Sequence, residues 1–247
     1  MRINNNFPSP NYDIRNKKIQ YIMVHFTEMS FDGALRRLTD EAAQVSAHYI
    51  IKENGEIFQL VADENIAWHA GKSSWYGEEA LNRNSIGIEL DNLGNCRFAK
   101  AQMQACLALS NVLVKKYDIP PGNFIGHSDV APERKIDPGI FFDWKFFAEN
   151  GLGIWHNLQA PDKVEQLFRF GDKGEEIKHL QQDLKKLGYD IKDTGIFDVQ
   201  TNFVIRAFQS KFYPEIIHRK GIDFYNNDKS QYSWDLFSKR ILNKLLA

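Results

Sequence analysis

Apolar positions follow two rhythms along the 247-residue chain, and the change between them marks its organisation. Residues 19–25 (Ile-Gln-Tyr-Ile-Met-Val-His) are a short β-rich run ending on a histidine, which predicts a buried strand with a polar residue at its C-terminal end. Residues 85–90 (Ser-Ile-Gly-Ile-Glu-Leu) predict another, carrying Glu89 near its end. Residues 45–60 read as a β-hairpin, because Asn54-Gly55 separates two β-rich runs. Helical spacing takes over at residues 31–38 (Phe31, Ala34, Leu35, Leu38) and 100–117 (Met103, Leu107, Val112, Leu113, Val114), the second stopped by Pro120-Pro121-Gly122. Residues 1–18 are polar and proline-containing, which predicts an extended surface arm. Residues 66–77 form an aromatic loop region, and residues 141–147 a short aromatic helix. Strand, helix, hairpin, strand, helix predicts an α/β fold: a mixed central β-sheet flanked by helices.

The pattern breaks near residues 150–162, where Gly151, Gly153, Asn157 and Pro161 suggest a linker. Beyond it, residues 175–187, 199–212 and 232–246 carry apolar stripes at helical spacing: Ile177, Leu180, Leu184 and Leu187, then Val204, Ala207 and Phe208, then Leu236, Ile241 and Leu245. The expected organisation is a first domain over residues 1–160 and a small three-helix domain over residues 161–247. The length suits one or two domains.

A formal net charge of −1 supplies no overall basic surface for nucleic acid, so none is expected as a partner. Two cysteines, Cys96 and Cys106, exclude a disulfide-dense scaffold and a cysteine-based metal cluster. The first residues hold no apolar signal-peptide core, and no window approaches the ~20 apolar residues of a membrane span.

Candidate chemistry gathers at residues 125–139, Ile-Gly-His-Ser-Asp-Val-Ala-Pro-Glu-Arg-Lys-Ile-Asp-Pro-Gly, a stretch too broken to be a simple core element. His127 and Asp137 offer an imidazole nitrogen and a carboxylate oxygen suited to zinc, with the Lys135 cation beside them. His25 and Glu89 stand at buried strand ends elsewhere. A His-His-Asp set with its fourth position left for water would make a catalytic zinc site, with Glu89 moving the proton and Lys135 stabilising an oxyanion. Each residue also has a plainer reading. A strand-end histidine can be a hydrogen-bonded structural residue, Glu89 can pair with Arg83, and Asp137 before Pro138 can be a turn former.

At these residues the chain resembles the zinc-dependent N-acetylmuramoyl-L-alanine amidases of the type-2 amidase family, on its AmiD- and AmpD-like side. The carrying pieces are Tyr-Ile-Met-Val-His25-Phe-Thr, Val-Ser-Ala-His48-Tyr, Ala-Trp68-His69-Ala-Gly, Asn-Ser-Ile-Gly-Ile-Glu89-Leu and the His127–Gly139 stretch, in the family's order over most of residues 19–145. The resemblance implies one zinc ion held by His25, His127 and Asp137, with Glu89 as general base and Lys135 as transition-state stabiliser. The implied reaction is hydrolysis of the amide between N-acetylmuramic acid, or its 1,6-anhydro form, and L-alanine of the stem peptide. Trp68 and His69 fall in a loop that borders the substrate groove in such enzymes, and burial is an equal reading for Trp68. His48, inside a strand run, reads as structural. An arginine usual in relatives ahead of the Asn-Ser-Ile-Gly-Ile-Glu strand is replaced here by Glu79-Ala80-Leu81, which leaves Arg83 as the candidate for a peptide carboxylate.

The C-terminal stretch from Phe170 through Gln209 resembles a three-helix peptidoglycan-binding module, which would keep a tethered enzyme near polymeric wall. Asp172 and Asp198 also read as helix caps. Peptidoglycan or muropeptide is the implied partner, and a monomer is expected. The alternative is a non-catalytic peptidoglycan-recognition protein on the same fold, which would need none of the five site residues. A metal-free glycosidase would need two carboxylates flanking a sugar bond, and no second acid is as well placed as Glu89. The wall-binding module favours the bacterial envelope or periplasm, and the missing signal favours the cytoplasm; the envelope is the expectation.

Overall fold

The computed structural model describes residues 2–227 and 231–247; Met1, at the head of the predicted arm, and residues 228–230, inside the predicted C-terminal domain, lie outside the described residues. A six-stranded mixed sheet runs in the order Ile3–Asn4, Ile57–Gln59, Tyr49–Ile51, Ser85–Leu90, Tyr21–Phe26, Phe124–Gly126. All neighbours are parallel except the Tyr49–Ile51/Ile57–Gln59 hairpin. The three strands that matter most are adjacent and parallel, so their C-terminal ends lie together. His25 faces Glu89 in register, and Gly126 pairs with Val24, so the chain leaves the sheet into His127 beside His25.

Alternation along these strands assigns their two faces. Ile22, Val24, Ile86 and Ile88 are fully buried and pack with Met103, Cys106, Leu109 and Leu113 of the Lys100–Tyr117 helix. Each such burial contributes roughly 1.5–3 kcal/mol. The helix boundaries follow the expected spacing, but the apolar stripe does not run through Val112, which is 51% exposed. A five-residue step from Leu107 to Val112 leaves the face that the sheet covers, and Cys106 and Leu109 keep to it. Tyr21 and Met23 point to the other face and join a core containing Ile177, Val204 and Phe208 from the C-terminal half.

That half holds the helices Glu175–Lys186, Val199–Phe212 and Leu236–Leu246, two short helices at Pro214–Lys220 and Ile222–Asn226, and an antiparallel pair, Gln166–Arg169 with Ser233–Asp235. Ser233–Asp235 is therefore strand where the spacing predicts helix from residue 232. The Asp235 carboxylate accepts from the Ser238 N–H at 2.7 Å, so the helix starts at Leu236. Its buried stripe becomes Phe237, Ile241 and Leu242, with Leu236 exposed. Asp198 caps the Val199–Phe212 helix through the Thr201 N–H, whereas Asp172 closes a turn on the Arg169 N–H.

Two predicted loose segments are packed. The arm pairs at Ile3–Asn4 and at Tyr12–Ile14, and Arg15 donates to the carbonyls of Asp63, Asn65 and Ser85. In the expected linker, Leu152 and His156 are buried, and His156 Nε2–H donates to Phe212 O at 2.7 Å. Buried Lys211 reaches Asp129 at 2.6 Å, Arg206 donates to Pro132 O, and the Tyr225 hydroxyl donates to Ile136 O. The C-terminal half thus grips both flanks of residues 129–137. Among the described residues, no helix is long and apolar enough to cross a membrane.

Candidate metal centre and groove

The loop after the Phe124–Gly126 strand opens with one helical turn, His127–Val130. Asp129 Oδ2 accepts from the Gly126 N–H at 2.8 Å, and Ser128 N–H donates to Asp137 O at 2.8 Å, which ties the two ends of the loop together. Gly126 is required at the entry, because a Cβ there would lie 2.7 Å from the Pro138 ring.

This folding brings His25 Nδ1, His127 Nδ1 and Asp137 Oδ2 into a triangle with sides of 2.9–3.0 Å. All three residues are buried, and they form a group able to hold a metal ion. Ligand atoms around one tetrahedral zinc stand about 3.3 Å apart, so the donor set and its spacing fit such an ion. Burial pushes the His25 imidazole down to about 4, with the neighbouring His127 adding to the effect, so His25 is a neutral donor at pH 7.

Glu89 stands beside this triangle. Burial, and next the charge of Asp137, push its carboxyl well above the ordinary glutamate range, with Lys135 opposing. Among the described residues its Oε2 has no hydrogen-bond partner, and Arg83 lines a separate depression rather than pairing with it. An unpartnered buried carboxylate is costly to keep and suits a group that handles protons.

A groove of about 440 Å³, within the range of small-molecule sites, brings His25, Glu89, His127, Lys135 and Asp137 together, with Trp68 and His69 on its lining. Trp68 is half-buried and its indole N–H donates to Asp13 at 2.7 Å. Both ring nitrogens of His69 face protein atoms, His25 and Ser85. His48 is fully buried, accepting from the Gly87 N–H and facing Asn65 O. Arg83 lies outside the groove, exposed over a separate depression with Asp13 and Asn82.

The groove also contains residues that the sequence reading passes over. Arg37, on the Phe31–Thr39 helix, and Arg134 line it, as do Arg206 and Asn226 from the C-terminal half. Arg134 was legible as a charge within the loop, whereas the others reach the groove only through tertiary packing.

Two family models match the chain: N-acetylmuramoyl-L-alanine amidase over residues 15–140, and peptidoglycan binding domain over residues 173–215. The N-acetylmuramoyl-L-alanine amidase AmiD of Escherichia coli is 36% identical over 219 residues, covering 81% of this chain and 76% of AmiD. The 1,6-anhydro-N-acetylmuramyl-L-alanine amidase AmpD of Citrobacter freundii is 46% identical over 104 residues, 42% of this chain and 56% of AmpD. Among solved structures, E. coli AmiD in complex with the substrate anhydro-N-acetylmuramic acid-L-Ala-D-gamma-Glu-L-Lys superposes with a TM-score of 0.75 at 33% identity, covering 93% of this chain and 89% of that one. AmpDh3 from Pseudomonas aeruginosa in complex with anhydromuramic pentapeptide gives 0.71 at 27% identity, with 93% and 91% covered. With a matching model over half its length and a relative this similar over most of it, the chain belongs to the N-acetylmuramoyl-L-alanine amidase family.

Proposed function

We propose that the protein is a zinc-dependent N-acetylmuramoyl-L-alanine amidase that hydrolyses the amide between the lactyl group of N-acetylmuramic acid and the L-alanine of a stem peptide. The observation that carries this reading is the convergence of His25, His127 and Asp137 on one point beside an unpartnered Glu89. Zinc, when bound, polarises the scissile carbonyl and acidifies a water. Glu89, whose Oε2 has no hydrogen-bond partner among the described residues, would accept the water's proton and return it to the leaving amine. Lys135, on the lining of the same groove, would supply an ammonium to the carbonyl oxygen as it gains charge. Arg37 and Arg134 offer cations for stem-peptide carboxylates, which fits a peptide running along the groove.

Residues 1–160 form the catalytic domain in this reading and residues 161–247 the wall-binding domain. Relatives bound to anhydromuramic peptides make 1,6-anhydro muropeptides a fitting substrate alongside polymeric peptidoglycan. The pairing of an amidase with a peptidoglycan-binding unit suits work at the cell envelope. Purified protein incubated with an anhydromuramyl tripeptide should release a free L-alanine amino terminus, stop on chelation and recover with zinc. Binding without turnover would replace this reading with the non-catalytic recognition protein, and new reducing ends would replace it with a glycosidase.

A further inference from the structure

The hydrogen bonds behind the triangle fix where its protons are. Ser85 Oγ lies 2.5 Å from Leu81 O, and a carbonyl can only accept, so the single hydroxyl hydrogen of Ser85 is committed there. Ser85 Oγ must therefore accept from His69 Nε2, 3.2 Å away. A neutral imidazole carries one N–H, so His69 Nδ1 is a lone pair, and it faces His25 Nε2 at 3.0 Å. His25 must then donate through Nε2–H, which leaves its Nδ1 as a lone pair. His127 reaches the same state by a shorter route, since its Nε2 lies 3.1 Å from Ala70 O and must donate. Both Nδ1 atoms and Asp137 Oδ2 are consequently acceptors pointed at one another, an arrangement that a cation satisfies.

We infer that His69, through Ser85, is a positioning residue that fixes the tautomer and ring orientation of His25, while the adjacent Ala70 carbonyl does the same for His127. The inference rests on the zinc reading above and deepens it. One short segment thereby sets both imidazole ligands from behind. The segment is itself held: Asn82 Oδ1 accepts from the N–H groups of His69 and Ala70 at 3.1 and 2.7 Å. It also needs Gly87 beneath it, because a Cβ at that position would come within 2.4 Å of the His69 ring. His69 is drawn out of the role of a substrate contact, since both of its nitrogens are spent on this chain of bonds.

Zinc affinity measured by competition with a chromophoric chelator tests this without reference to turnover. His69→Ala should weaken zinc binding by about 10–100-fold, the loss typical of removing the partner of a ligating histidine. His69→Asn should recover much of it, because the amide oxygen can sit where Nδ1 accepts. Ser85→Ala should fall between wild type and His69→Ala. Cobalt substituted into the site should give a visible spectrum altered in His69→Ala and near wild type in His69→Asn. A long-range proton–nitrogen spectrum should place the His69 proton on Nε2. If wild type binds zinc and both His69 variants bind within twofold of it with unchanged cobalt spectra, or if His69 carries its proton on Nδ1, the inference is overturned. Wild type that binds no zinc overturns the metal reading itself, a result distinct from both.

Discussion

Two buried aspartates on one loop, Asp129 and Asp137, show opposite solutions to the cost of burying charge. Asp129 is closed: Oδ2 takes the Gly126 N–H and the Lys211 ammonium, and Oδ1 takes the Tyr189 hydroxyl at 3.2 Å. Asp137 meets two imidazole nitrogens that have already given their protons elsewhere, and a third acidic group, Glu89, sits nearby with a bare oxygen. The first arrangement is complete within the polypeptide and joins the two halves of the molecule. The second is a group able to hold a metal ion. Burial alone therefore does not mark a site; the balance of donors and acceptors does.

The sharpest way to break this comparison is to remove a member of the open cluster. Asp137→Ala or His127→Ala should abolish stoichiometric zinc in a metal assay and reduce amidase activity by at least about 10⁴-fold, since ligand and reaction are lost together. Zinc-free Asp137→Ala should nonetheless melt no lower than zinc-free wild type, because it relieves converging acceptors. Glu89→Gln should keep zinc and lose about 10²–10⁴-fold in kcat. Loss of zinc in that variant would make Glu89 a ligand and overturn its assigned role.

The closed cluster should respond in the opposite sense. Asp129→Ala leaves Lys211 buried without its carboxylate and should cost about 3–5 kcal/mol in urea unfolding. The double variant Asp129→Asn with Lys211→Met should recover most of that loss, because no uncompensated charge remains. If Asp129→Ala unfolds like wild type, the interface is not held as described.

The smallest expected effect concerns pH. His48 ordinarily titrates near 6.5, but burial, with Arg15 adding to it, pushes it down to about 3 in the folded protein. Between those values the unfolded chain binds more protons, so stability is lost as pH falls from about 6.5 towards 3. The slope is at most about 1.4 kcal/mol per pH unit for one such group. His25 acts in the same sense in zinc-free protein. Urea midpoints of His48→Gln at pH 7 and pH 5 should differ less than those of wild type, and an equal difference would remove His48 from the account.

How much of this was legible depended on the range of each interaction. His25 and Glu89 stood out because a polar residue ending an apolar run is a local signal, and their strands appear where the runs predicted them. The Leu236–Leu246 helix was misplaced because a strand and a capping aspartate at its start compete with the same apolar spacing. The sequence places His69 at a groove and offers Arg83 for a carboxylate; the fold keeps His69 on the groove lining with both nitrogens facing protein atoms, and puts Arg83 over another depression. Neither placement could come from local pattern, since each depends on segments far apart in the chain.

The sequence by itself determined the two helical and strand rhythms, the donor types on offer, and the family to which their order belongs. Only the tertiary structure decided that His25 and His127, 102 positions apart, meet at 3.0 Å, that their protons point away from the meeting point, and that the C-terminal half is docked against the reactive loop. The physical reason is that periodicity reports which face a residue takes within its own element. Parallel pairing, proton commitment and the closure of a buried charge are set between elements, by partners that exist only once the chain has folded.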